Sequence, residues 1–391
     1  MALPRRPFIP DIVRQHAGDA AFLWQQRRRE VAGHAFDARD LGRLDRRVEG
    51  HLLGLEAAGQ GAIAALEEQA GEFSGTGEWF ALASTLIRLG MTDGIAARLD
   101  DAFADARAVA GIRDALAHAD AATIAPGVRD WIHRADPRLR MLALSALADH
   151  RSDPGTLLAR LFEDADAEVR TQAIRLAGLV GRVDLASAIA PALDHAATAD
   201  AAAGALLLLG HAQDEAEQHI GRRVARTAGD DGVGDLLDLC LLARPDNARD
   251  LLRRLLQATR PEAAALALSR TGLARDWSVT DWLIARMRDP ATAEAAGFAF
   301  RDMIDIDVND TETFTSDPET LGPGFVDLDP ADLPVADEVA VFLDTHGRPP
   351  RGLPRFVSQR RRRLQALSTG LARPEAIVPR WDAAQPGPAW T

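Results

Sequence analysis

The stretch Ala135-Asp136-Pro137-Arg138-Leu139-Arg140-Met141-Leu142-Ala143 returns 30 residues later as Ala165-Asp166-Ala167-Glu168-Val169-Arg170-Thr171-Gln172-Ala173. Asp136 aligns with Asp166, Arg140 with Arg170, and Ala143 with Ala173; Ala203 continues the step. A fixed period of this kind marks stacked helix pairs rather than one globular core. The aspartates read as N-caps, and Pro137 occupies the first helical position, where a missing N–H costs nothing. The same device is expected at Asp153-Pro154 and Asp289-Pro290, and Thr259-Arg260-Pro261-Glu262 reads as a capping box. Gly90, Gly181, Gly210 and Gly272 read as helix stops. Asp136 and Arg140, like Asp166 and Arg170, stand four apart, so stacked repeats would line them into an ion-pair ladder.

Working outward, capped helix-length segments run from about residue 78 to 300, roughly seven helix pairs at this period. Before them, residues 15–60 are helical and amphipathic. Phe22, Leu23 and Trp24 mark one apolar face, and Leu41, Leu44, Val48, Leu52 and Leu55 recur at threes and fours. After them the pattern breaks. From Asp302 to Glu338 there are twelve acidic residues and no basic one, with prolines throughout. This reads as a long acidic excursion holding one short helix at 335–345. A basic helix follows at about 354–371, then a Pro-rich tail with Trp381 and Trp390. The expected organisation is therefore a helical N-terminal region (1–70), a repeat array (71–300), the acidic excursion (301–353) and the basic helix with its tail (354–391).

Composition agrees with helices. Ala fills 75 of 391 positions, while aromatics are only 5%. Ala is the best helix former and lets helices approach closely. All 45 basic residues are Arg, Tyr is absent, and Asn occurs only at Asn247 and Asn309. These lost types have AT-rich codons, so a GC-rich genome is one reading and, for Lys, escape from amine tagging in a host cell is the other. Without Lys there is no P-loop lysine, Schiff-base lysine or kinase lysine. The net charge of −13 argues against nucleic acid and anionic membrane as whole-surface partners. A single Cys240, among leucines, excludes internal disulfides and Cys-rich zinc sites and reads as a small buried apolar residue. Pro7, Pro10, Asp11 and Arg14 interrupt any signal-peptide core, and the longest apolar run, Ala201–Gly210, is too short for a membrane span. A cytoplasmic protein is expected.

The window 135–210, with D-x-x-[LV]-R-x-x-A at Asp136–Ala143 and Asp166–Ala173, resembles the HEAT-like repeats described in phycobilisome lyases. A second resemblance joins the two ends. His16-Ala17-Gly18-Asp19-Ala20-Ala21-Phe22-Leu23-Trp24 and the segment from Asp40 to Leu55 look like the N-terminal signature of an uncharacterised bacterial family with such repeats in its middle. Gly297–Asp307 and the Gln359–Arg362 region look like its C-terminal part. The acidic stretch at 308–334 departs from the family. Its members are often encoded in type VI secretion gene clusters. The resemblance implies an α-solenoid and a secretion-system setting, and it carries over no catalytic residue.

No constellation supplies a reaction. Asp305-Ile306-Asp307-Val308-Asn309-Asp310 opens like a calcium loop but has Asp310 where glycine belongs and Ser316 in place of the closing glutamate. Gly59-Gln60-Gly61 lacks the strand that a dinucleotide fingerprint needs. The ten His show no metal spacing, with His133 and His150 reading as cap or surface groups, and Cys240 has no positioned base. Neither a cofactor nor a metal is expected. Arg360, Arg361, Arg362 and Arg363 concentrate positive charge, pairing with the acidic segment, docking an acidic partner or, as a third reading, contacting nucleic acid. Trp277 and Trp282, five apart, point to different faces of a helix; one suits the core and the other an interface. The reading is an all-α solenoid that binds other proteins as a non-enzymatic scaffold, adaptor or chaperone, for secretion-system spike, adaptor or effector proteins. The alternatives are a HEAT-fold DNA glycosylase, which needs a basic groove, and a chromophore lyase, which needs a tetrapyrrole-sized apolar pocket.

Overall fold

A computed structural model describes residues 8–351, apart from 34, 231, 275, 305–307, 309, 310 and 329–331, together with residue 362. Among the described residues are twenty α-helices, six short 3₁₀ turns and one pair of two-residue strands. None of these helices is long and apolar enough to cross a membrane. The described residues divide into two compact units, one built from residues up to Ala32 and from Arg39–Ala205, the other from Gly33–Ala38 and from Leu206 to residue 351.

The first unit opens with α1 (Pro10–Ala32), α2 (Ala38–Ala58), α3 (Gln60–Phe73) and α4 (Thr76–Arg88). Two single turns, α5 (Asp93–Ala96) and α6 (Leu99–Phe103), lead to α7 (Ala106–His118) and α8 (Ala121–Trp131). Then come α9 (Pro137–Asp149), α10 (Leu157–Leu161), α11 (Ala167–Leu179), α12 (Ala186–Ile189) and α13 (Ala199–Leu209), whose last four residues belong to the second unit. Helix α4 is central and packs on α1, α3 and α7; α9 packs on α7, α8 and α11. Small residues permit this closeness. A side chain at Gly111 would collide with the Thr76 carbonyl, and one at Gly178 would stand 2.6 Å from Ala205 Cα. Trp24 lies stacked on Phe80, centroids 3.6 Å apart, and its Nε1 donates to Asp114 at 2.7 Å.

The predicted stripe of α2, Leu41 to Leu55, is buried throughout. The α1 face needs correcting: Leu23 and Trp24 are buried, but Phe22 is 61% exposed. Three successive helical residues span about 200°, too wide for one buried face.

Equivalent positions do equivalent work across the 30-residue step. Asp136 accepts from the Arg138 amide at 2.9 Å, and Asp166 from the amides of Glu168 and Val169. Arg140 Nη1 donates to the carbonyls of Arg134 and Ala135; Arg170 Nη1 donates to those of Asp164 and Ala165. Ala143, Ala173 and Ala203 are fully buried. Helix ends also match. Gly90, Arg151, Gly181 and Gly210 all have positive φ, and the next amide bonds back to the carbonyl of Leu86, Leu147, Ala177 or Leu206.

Several local expectations fail. Gly272 is not a helix stop: it lies in a 3₁₀ turn, and a side chain there would strike the Ala299 carbonyl. The capping box at Thr259 does not form, since Arg260 occupies the N-cap position without a side-chain bond. Asp153 and Asp289 do not cap helices directly; they accept from Gly155 and Ala291 in turns that precede α10 and α19.

The second unit contains α14 (Gln213–Thr227), α15 (Val233–Ala243), α16 (Ala248–Leu256), α17 (Pro261–Ser269), α18 (Thr280–Met287), α19 (Ala293–Met303) and α20 (Ala336–His346). Strand β1 (Phe314–Thr315) pairs antiparallel with β2 (Leu333–Pro334). The described part of the acidic segment is folded, not an excursion. Val308, Val339, Phe342 and Leu343 join Leu283, Met287 and Phe300 in one core cluster. Arg301 lies 4.0 Å over the Phe314 ring and pairs with Asp332 at 3.2 Å, and Arg288 pairs with Asp337 at 2.6 Å. Hydrophobic side chains spaced between the acids anchor the segment, and Arg288, just after α18, and Arg301, on α19, supply counter-charge.

Candidate functional site

Helix α16 organises the surface of the second unit. Ala248, Leu251, Leu252 and Leu255 face inward, while Arg249, Asp250, Arg253 and Arg254 face water. Its nine residues leave a groove on each flank.

The first groove, of about 520 Å³, lies against α14 and is lined by Glu217, Gln218, Gly221, Arg222, Leu251 and Arg254 among others. Glu217 is the chemically notable group because it is only 7% exposed. Asn247 Nδ2 and Arg254 Nη2 each donate to it at 2.9 Å, and Arg244 Nε stands 3.5 Å away. A carboxylate so surrounded by donors is spent on holding α14 to α16. Neighbouring Cys240 is fully buried, and burial, followed by the Glu217 charge, pushes its thiol up to about 12.

The second groove, of about 310 Å³, is the stronger candidate. Leu252, Leu256, Ala274, Val279 and Trp282 give it an apolar floor, and Arg249, Arg253, Gln257 and Asp276 rim it. Trp282, on α18, is 39% exposed. Asp276 caps the short turn before α18, accepting from Ser278 N at 3.1 Å and Ser278 Oγ at 2.6 Å. Those bonds, with Arg249 Nε at 3.0 Å, hold its carboxyl below the usual range. A large aromatic beside flexible cations, over an apolar floor, suits capture of a side chain rather than a bond-breaking step.

The other singled-out residues fall as follows. Trp277 is not on one helix with Trp282; it sits in a 3₁₀ turn and packs against the C-terminal core. Arg140 forms its ion pair with Asp164 at 2.9 Å, and Asp136 pairs with Arg138 at 2.7 Å, so the ladder passes through Asp164. Asp166 and Arg170 serve the helix start and the turn before it. Arg362 is helical and exposed. Arg360, Arg361, Arg363 and most of the calcium-like stretch 305–310 lie outside the described residues. Gly59 is the turn between α2 and α3. His150 C-caps α9, and its Nε2 meets the Leu116 carbonyl at 3.0 Å.

One constellation escaped the sequence reading. His16 and His51 meet across α1 and α2 with Nδ1 atoms 3.0 Å apart, and Asp19 lies 3.8 Å from His51. Burial, ahead of the opposing Asp19 charge, lowers the His51 pKa. Among the described residues no group of three or more His, Cys, Asp or Glu is arranged to hold a metal ion.

Compared with protein-family models, curated proteins and solved structures, the chain matches none of them.

Proposed function

We propose that the chain is a non-enzymatic scaffold or adaptor that docks other proteins, and that the groove between α16 and α18 is one of its docking points. The observation that carries this reading is Trp282, 39% exposed over an apolar floor and flanked by arginines. Buried aromatics and arginines dominate the energetics of protein interfaces. We further propose that the helices stack as a HEAT-like solenoid. Polar contacts at a constant step support this: Arg98 with Glu67, Arg182 with Asp153, Arg244 with Asp214, Asn247 with Glu217, and Arg270 with Asp238 are 29–32 residues apart. Stacked repeats produce such a register, and they expose long surfaces suited to binding. The resemblance of the chain's ends is what supports a type VI secretion setting for this scaffold, with spike or effector proteins as its partners, and the composition is what supports a cytoplasmic location.

The test is site-specific photo-crosslinking in the source cell. A photoreactive phenylalanine is placed at position 282, and controls at Val183 and Val341, both more exposed than Trp282. A discrete adduct from position 282 alone is expected. Equal or absent adducts at all three positions would remove the groove as a docking point.

A further inference from the structure

Resting on that docking reading, we infer that the groove between α16 and α18 takes an acidic protein segment bearing one large apolar side chain. The argument begins with how α16 presents its residues. Leu252 and Leu256 are four apart and form one row along the groove; Arg249 and Arg253 are four apart and form the row beside it. Residues so spaced have Cβ atoms about 5–6 Å apart. A ligand that fills the floor therefore meets two guanidinium groups at a set separation, with Val279 and Trp282 opposite.

The two arginines are available. Arg249 is 61% exposed and its partner Asp276 is also bonded to Ser278. Arg253 is 73% exposed and pairs at 3.3 Å with Asp250, itself 72% exposed. The Arg253–Asp250 pair, exposed on both sides, holds only weakly, and Asp276, 14% exposed, keeps its two Ser278 bonds when Arg249 turns to an incoming carboxylate. Partial enclosure by the floor then strengthens the new pair relative to open water. The complementary ligand is anionic, while the floor of Leu252, Leu256, Ala274, Val279 and Trp282 demands an apolar side chain at its centre. This combination favours protein over nucleic acid. A phosphate backbone needs a run of cations, and here Asp276 stands on the same rim of a chain whose net charge is −13.

The test uses the full chain and a labelled synthetic peptide, Ser-Gly-Glu-Asp-Phe-Asp-Glu-Gly-Ser, read by fluorescence anisotropy. Controls are the same peptide with Gln and Asn for its acids, the acidic peptide with Ser for Phe, and a single-stranded oligonucleotide. We expect the acidic Phe peptide to bind at least about tenfold more tightly than any control, and to be released near 1 M salt, where screening falls to about 3 Å. Arg249→Ser with Arg253→Ser, and separately Trp282→Ala, should each weaken it by about tenfold, with Trp282→Phe restoring most of the loss. Unchanged thermal melts identify these variants as folded. Equal binding of the neutral peptide, preferential binding of the oligonucleotide, or indifference to the double Arg variant overturns the inference. So does a dimer that the Arg variants dissociate, because the occupant would then be a second copy. If position 282 crosslinks in the cell but the acidic peptide does not bind, the docking reading stands and this inference falls.

Discussion

Arg140 Nη2 donates to Asp164 Oδ1 at 2.9 Å, joining the start of α9 to the turn before α11. Both side chains are largely covered, at 16% and 11% exposure. Asp164 also accepts from the Asp166 amide. Burial pushes its carboxyl up, but these bonds and the Arg140 and Arg170 charges outweigh that and hold it below the ordinary value. Asp164→Asn should therefore cost about 2 kcal/mol, most of it from leaving Arg140 without its counter-charge. Chemical denaturation near neutral pH measures it. Because the folded pKa is depressed, this contribution is present above the unfolded value near 3.9 and is lost as pH falls through the folded one. The difference between wild type and variant should accordingly shrink in acid.

The approach of α11 to α13 is a second testable contact. A Cβ at Gly178 would sit 2.6 Å from Ala205 Cα and 2.9 Å from Ala205 Cβ. The obstacle is backbone, so the helices must part. Gly178→Ala gains helix propensity but should still destabilise by about 1–3 kcal/mol. Ala173→Arg, on the same helix and fully buried, should cost about 3 kcal/mol or more. A melt unchanged by either substitution would mean the helices are not in close contact there.

What could be read in advance was whatever depends on neighbours in sequence. Asp136 and Asp166 cap their own helices through amides two or three residues on, so their role follows from local order. The partner of Arg140 was not legible, because Asp164 is 24 residues away and meets it only once α9 and α11 are packed. His16 and His51 illustrate the same limit: each lies on an ordinary helix, 35 residues apart, and only the fold brings them together. Trp277 and Trp282 do not share the single helix that their spacing suggests, because Trp277 sits in the 3₁₀ turn that leads into α18. The fold of the acidic segment is not legible because charge density masks its sparse anchors, Val308, Leu333 and Phe342, all of them buried. Of the groove beside α16 only Trp282 stands out in the sequence, since the floor is assembled from α16, two turns and α18.

Cys240 offers a chemical probe of opening. Its thiol is fully buried and its pKa is pushed up to about 12, chiefly by burial. The reactive thiolate is therefore scarce in the folded state at pH 7–8. Modification by a disulfide reagent should be slow in native buffer and should become complete in denaturant. A rapid native reaction would show that α15 opens far more readily than its packing against α14 implies.

The last prediction concerns mild acid. Burial, the largest cause in each case, holds His51 and His118 below their ordinary value of 6.5. For His118, positive Arg27 adds to burial while Asp45 and Glu49 oppose it; for His51, Asp19 opposes and His16 and Arg47 add. His118 also packs edge-on against Trp24 and Phe80, which leaves little water for an imidazolium. Both histidines protonate more readily in the unfolded chain, so the unfolded state binds more protons in mild acid. Stability should be full above about pH 6.5 and should fall as pH drops through that value, until the folded-state pKa values are passed. The slope can reach about 1.4 kcal/mol per pH unit for each proton taken up. This window lies well above the carboxylate window of Asp164, so the two effects separate on the pH axis. Urea unfolding between about pH 7.5 and 5 should show the decline, with a shallower slope in His118→Gln and in His51→Gln and the shallowest in the double variant. A slope equally steep in the double variant would place the titrating groups elsewhere and remove burial of these two imidazoles as the cause.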